Sequence, residues 1–303
     1  MQPLLQVSNL SKNFADFAAV SDLSFNVYEG DIYGFLGQNG AGKSTTIRMI
    51  LSLIKPTGGD ILFRGKSVVG KDKSWLKDCG AIIERPDLYK YLSAYDNLRI
   101  FAKMSGKPIS KKQILEQLEM VGLAERANSR VKTFSQGMKQ RMGIAIALVH
   151  NPGLVILDEP TNGLDPQGIA DMRQLIISLR EQHNKTVIIS SHLLNEIEQV
   201  ATRMLIINKG KKIIEGKVSD LINPENSVVE LDTVDNKKAF SILQTSTWAA
   251  STTLQEDVLK IQLNKTDVPQ VLALLQSASL PVFAAVPRHS LEDYFLQVTK
   301  TEV

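Results

Sequence analysis

The chain has 303 residues, with 35 Lys and Arg against 32 Asp and Glu and a formal net charge of +3. That length suits about two domains with cores of their own, and the even balance, with only short basic runs at 71–77 and 209–212, argues against a nucleic-acid surface. Hydrophobic content of 43% with 22% charged residues excludes wholesale disorder. The single cysteine, Cys79, excludes an intramolecular disulfide and a cysteine-zinc site, which suits a reducing cytoplasm. No apolar stretch approaches the ~18 residues of a membrane span and no charged-then-apolar leader follows Met1, so any membrane part is expected from another chain.

In chain order, 4–7 and 20–27 read as strands, with Phe14 on their connection, where its ring could stack on an adenine or fill a core. A third apolar strand, 32–36, runs straight into Gly37-Gln38-Asn39-Gly40-Ala41-Gly42-Lys43-Ser44-Thr45, and a helix is expected over 44–54. This spacing is G-x-x-x-x-G-K-[ST]. Its glycines let backbone N–H groups curl around a polyphosphate at a helix N-terminus. Lys43 would reach the terminal phosphates and the Ser44 hydroxyl would ligate Mg²⁺. The loop alone does not separate a kinase, a GTPase, a motor and a transport ATPase.

A breaker cluster at 55–60 precedes short strands at 61–63 and 81–84. Helical spacing then takes over at 93–104 and at 110–123, the latter opening on a Ser110-x-x-Gln113 capping box, and again from Ser135 to about Val149. A helical insert of about 85–150 therefore interrupts the strands. From 154 onward strand and helix alternate: 154–157, 168–182, 186–190, 193–201 and 204–207. Alternation of this kind predicts a parallel sheet with crossover helices. A hairpin at Lys209-Gly210 leads to 212–214, and Asn223-Pro224-Glu225-Asn226 marks an expected boundary between domains at 1–222 and 227–303. The tail reads as a β-α-β-β-α-β unit closed by a helix from Leu291, a small α+β domain with no catalytic constellation.

The strand at 154–157 ends in Asp158 and Glu159, and carboxylates at the tip of a buried strand need cations or donors. Asp158 is expected to hold Mg²⁺ through water and Glu159 to act as general base on the attacking water. His192, at the carboxyl end of a parallel strand, lies where open α/β sheets bind ligands and could contact a terminal phosphate.

Phe134-Ser135-Gln136-Gly137-Met138-Lys139-Gln140-Arg141, together with Asp158-Glu159-Pro160-Thr161-Asn162-Gly163-Leu164-Asp165-Pro166, resembles the ATP-binding cassette (ABC) family over residues 4 to about 221. The resemblance implies an α/β P-loop fold and an ATPase using ATP and Mg²⁺. It implies a second cassette facing the first head to tail, most simply a homodimer. Ser135 and Gly137 would then contact the nucleotide of the partner cassette, Asp165 would lie in the turn across the interface, His192 would be the switch histidine and Phe14 the adenine-stacking aromatic. Two departures from the usual pattern, Gln136 in the signature and Glu84 where most cassettes carry Gln, are similar to the ATPases of bacitracin and lantibiotic exporters. Ser290-Leu291-Glu292-Asp293-Tyr294-Phe295 is similar to the C-terminal extension of drug-exporter cassettes. Glu84 is accordingly expected near Mg²⁺ and the attacking water. The implied protein works peripherally at the inner, cytoplasmic face of the membrane with a polytopic permease, without nucleic acid. A soluble cassette ATPase acting on nucleic acid or ribosomes is the chief alternative, disfavoured by a single cassette without a heptad run. A non-enzymatic ATP-binding regulator is disfavoured by Glu159.

Overall fold

The computed structural model describes residues 2–70, 72–106, 109–221 and 227–288. The chain opens with β1 (Leu5–Phe14), β2 (Phe17–Val27), β3 (Ile32–Leu36), α1 (Lys43–Ile50), β4 (Gly58–Phe63), β5 (Lys66–Ser67) and β6 (Cys79–Ile82). Next come α2 (Ala94–Met104), α3 (Lys111–Met120) and α4 (Gln136–Leu148). The chain continues through β7 (Leu154–Asp158), α5 (Pro166–Glu181), β8 (Thr186–Ser191), α6 (Leu194–Glu198), β9 (Arg203–Asn208), β10 (Lys211–Lys217) and α7 (Val218–Leu221). After it follow β11 (Ser227–Thr233), α8 (Asn236–Leu243), β12 (Thr252–Gln255), β13 (Val258–Leu263), α9 (Val268–Ser277) and β14 (Val282–Arg288).

The strands β3, β7 and β8 are buried at every residue, as strands covered on both faces must be. They form the middle of a six-stranded sheet ordered β10-β9-β3-β8-β7-β6, parallel throughout except for the antiparallel β10 edge. An antiparallel sheet, β2-β1-β4-β5, is the expected β-rich entry. Leu10, Leu23, Phe25 and Ile61 from that sheet share one apolar cluster with Tyr33, Ile47 and Ile188. The helices α2, α3 and α4 form the expected insert. Ser93, Ser110 and Ser135 each cap one of them, and at Ser110 the reciprocal bond from Gln113 completes the capping box.

Several boundaries differ from those expected. The phosphate-loop helix stops at Ile50 rather than 54, where Ser52 takes a positive φ of 55° and the chain turns back. The strand expected at 81–84 lies at Cys79–Ile82, because pairing with β7 ends at Ile82 opposite Leu157 and Glu84 adopts φ 61°. Phe14 is the last residue of β1, paired with Phe17, rather than on a loose connection.

The chain divides into two compact units, Met1–Lys217 and Val218–Val303. The expected linker at 223–226 and the closing helix from Leu291 lie outside the described residues. In the second unit the antiparallel sheet β12-β13-β11-β14 packs Val229, Leu231, Leu259 and Ile261 against Ala239 and Leu243 of α8 and Val271 and Leu275 of α9.

Helix α4 approaches β6 closely enough to exclude a side chain. A Cβ on Gly80 would lie 2.1 Å from the Ala147 carbonyl oxygen, a backbone atom with little room to yield. The neighbouring Cys79 is buried, and that burial pushes its thiol well above the ordinary cysteine range, leaving it inert in the folded chain. Gly80→Ala is expected to cost about 1–3 kcal/mol of stability through overpacking. Urea unfolding would show this as a lower midpoint at unchanged slope; an unchanged midpoint would mean that α4 shifts freely.

Candidate nucleotide site

The site forms where β3, β7 and β8 end along one edge of the parallel sheet. Strand β8 lies between the other two, so Ser190, Ser191 and His192 stand between the phosphate loop and the acids that follow β7. Gly37 sits so tightly that a Cβ would meet the Ile207 carbonyl oxygen at 2.6 Å, and Gly42, the N-cap of α1 at φ 105°, would meet that of Ala19 at 2.7 Å. No side chain caps α1. The first-turn N–H groups of Lys43, Ser44 and Thr45 have no partner within the helix and form a cradle that fits a phosphate. Asn39 and Gly40 lie on the exposed outer part of this loop, and Ala41 is buried beneath it.

Lys43 is only 5% exposed. Its ammonium donates to the Gly37 and Gln38 carbonyls at 2.7 and 3.3 Å and lies 3.1 Å from Glu159 Oε1. The other Glu159 oxygen, Oε2, is 2.9 Å from His192 Nδ1. Glu159 has a φ of 50°, a conformation that costs a non-glycine residue about 1–3 kcal/mol and that persists only where the surroundings impose it. Ser190 is part of that constraint. Its buried hydroxyl donates to Asp158 Oδ1 at 2.5 Å and accepts the Glu159 N–H at 2.8 Å.

Asp158 is 1% exposed, and its second oxygen, Oδ2, is buried without a hydrogen bond. A buried carboxylate oxygen without a donor fits a cation, and an oxygen donor set suits Mg²⁺. Among the described residues no group of three or more acidic, His or Cys side chains could hold a metal by itself. That fits an ion bound through one or two protein oxygens plus phosphates, here Asp158 and Ser44. When bound, the ion would supply positive charge to the phosphate oxygens.

The structure thus brings together Lys43, Asp158, Glu159 and His192. It does not bring Glu84 to them. That carboxylate is largely exposed and pairs instead with Arg48 of α1 at 2.5 Å, the cation within its reach, and no bond joins it to Asp158 or Ser44 among the described residues. Phe14 is 47% exposed, with the Lys12 ammonium 4.9 Å from its ring centroid, so the ring is surface rather than core. Ser135 caps α4 by accepting the Met138 N–H, and Asp165 caps α5 by accepting that of Gly168. Gly137 faces Leu164, 3.9 Å from where a Cβ would be.

The residue that sequence reasoning missed is Ser190. A serine at a strand end carries no signal until the register Asp158–Ser190 is known. Ser190→Ala removes a bond to a buried carboxylate and is expected to destabilise the first unit by about 1–3 kcal/mol. Denaturant unfolding of that variant at neutral pH checks it, and wild-type stability would show that the bond is dispensable.

Comparison with known proteins supplies the family. The ABC transporter family profile matches residues 20–162. The bacitracin transport ATP-binding protein BcrA of Bacillus licheniformis is 40% identical over 301 residues, covering 98% of this chain and 98% of its own length. The lantibiotic transport ATP-binding protein SrtF of Streptococcus pyogenes is 43% identical over 212 residues, 70% of this chain and 90% of SrtF. A solved dimeric ATP-binding cassette in a post-hydrolysis state, bound to ADP and Pi, superposes with a TM-score of 0.63 at 28% identity, over 71% of this chain and 98% of that one. Likeness of this extent, on top of a loop and acid pair already placed for phosphate chemistry, makes the chain a member of the ABC transporter family and one of its ATP-hydrolysing cassettes.

Proposed function

We propose that this cassette powers the export of a peptide antibiotic or drug-like compound through a separate permease, as a head-to-tail homodimer at the inner face of the membrane, using Mg²⁺. The observation that carries this reading is the end-to-end match to a bacitracin transport protein, which includes the second unit as well as the cassette. Among the described residues no helix is long and apolar enough to cross a membrane, which fits a permease supplied by another chain. The second unit is proposed as an accessory domain that adjusts dimerisation or permease contact.

Lys43 cannot direct the same N–H bonds at Glu159 and at a phosphate. Once its charge turns to phosphate, Glu159 Oε1 is free to take a proton from water while His192 holds Oε2. Ser135 and Gly137 begin a helix whose N-terminus is proposed to serve the second copy's nucleotide, with Asp165 in the turn between the two. Phe14 offers an exposed ring for adenine. Glu84, held by Arg48, is proposed to act from the rim of the site on Mg²⁺ affinity and permease response.

Glu159→Gln is expected to bind Mg-ATP normally and hydrolyse it about 10²- to 10⁴-fold more slowly, since an amide keeps the shape but takes no proton. Turnover near wild type would remove Glu159 from the base role. The trans arrangement has its own test: mixing Ser135→Arg chains with Lys43→Ala chains should restore one intact composite site per heterodimer and raise ATP occupancy above either variant alone. Failure to do so would exclude head-to-tail pairing. For export, co-expression with its membrane partner should raise tolerance to a peptide antibiotic in the wild type and not in Glu159→Gln. Co-purification with RNA or DNA and no membrane protein would overturn the assignment.

A further inference from the structure

We propose that Glu196, which touches neither the phosphate loop nor the acid pair, is a positioning residue that sets the Glu159–His192 geometry. One oxygen of its half-buried carboxylate, Oε2, accepts two hydroxyls, Thr161 Oγ1 and Ser191 Oγ, each at 2.7 Å. Bonds of this length to an ionised acceptor are in the strong, charge-assisted class. The two donors come from different places: Thr161 lies two residues beyond Glu159 after β7, and Ser191 immediately precedes His192 at the end of β8.

Each donor also shapes its own segment. Ser191 Oγ accepts the Leu193 N–H at 3.0 Å, which sets the turn carrying His192. The Thr161 carbonyl accepts the Leu164 N–H at 3.1 Å, and the Glu159 carbonyl accepts that of Asn162 at 3.1 Å, which sets the turn leading to Asp165. Ser190 and Ser191 therefore divide the work. Ser190 fixes the Glu159 backbone from within the sheet, and Ser191 fixes the segment beyond it through Glu196. The 2.9 Å contact between Glu159 and His192 joins side chains from two strand ends, and Glu196 is the group that holds the turns after both.

A misplacement of about 1 Å in a reacting group can cost ~10²-fold in rate. Glu196→Ala is therefore expected to lower kcat by about 10- to 100-fold while equilibrium ATP binding stays within about twofold. Glu196→Gln keeps an oxygen that accepts both hydroxyls and should restore most of the rate. Thr161→Val and Ser191→Ala should each lower kcat without changing ATP affinity, and combining either with Glu196→Ala should add little, because the three act as one unit.

The inference rests on Glu159 acting as the base, and the two can fail separately. Wild-type turnover in Glu159→Gln sinks the base; a disabled Glu159→Gln beside Glu196→Ala at wild-type kcat sinks the positioning role alone. Additive losses, or ATP affinity falling in step with kcat, would also overturn it. Should Glu196→Ala fail to fold, the nearly isosteric Thr161→Val and Ser191→Ala decide, and wild-type kcat in both would refute the proposal.

Discussion

A carboxylate at the tip of a fully buried strand cannot remain charged without donors or cations, and Asp158 with Glu159 places two of them there. The surrounding architecture answers that demand. Lys43 arrives from the loop after β3, the Ser190 hydroxyl and His192 ring from the end of β8, and the uncapped N-terminus of α1 adds the positive end of a helix dipole. Because β8 separates β3 from β7, the groups at its end are the natural bridge between the lysine and the acids. The contacts of Glu159 with Lys43 and His192, and of Asp158 with Ser190, depend on that strand order.

The same electrostatics distinguish the inner ion pairs from the outer one. Lys43 and Glu159 meet at side-chain exposures of 5% and 16%, where losing either partner would strand a charge out of water. Arg48 and Glu84 meet at 41% and 65%, where solvent screens them and the net worth is small. Glu84 is thus held by Arg48 of α1, the helix that begins at the phosphate loop. The positive φ values of Glu84 and Glu159 put a turn directly after β6 and β7, so both chain segments leave the sheet at this edge.

The second unit follows different physics. Its sheet is wholly antiparallel, one face is covered by α8 and α9, and its apolar cluster is its own. Among its described residues no group of three or more His, Cys, Asp or Glu side chains could hold a metal ion.

The phosphate loop, the Asp158–Glu159 pair, the signature stretch and the alternation of strand and helix were all legible in the amino-acid order, because each is local. Glycine spacing, a continuous apolar run ending in acids and a capping box are decided by neighbours within a turn or two. Helix and strand ends were less legible, as at Ile50 and Ile82, where tertiary pairing stopped an element that local propensity would have continued. The roles of Ser190 and Glu196 were invisible, for they depend on register across the sheet: Asp158 opposite Ser190, and Thr161 and Ser191 converging on one oxygen from 35 and 5 residues away. The Glu84–Arg48 pair was equally invisible, since 36 residues separate its members along the chain. Sequence by itself determined which chemistry this protein carries; only the tertiary structure decided which side chains hold that chemistry in place, because a hydrogen bond is set by distance in space and not along the chain.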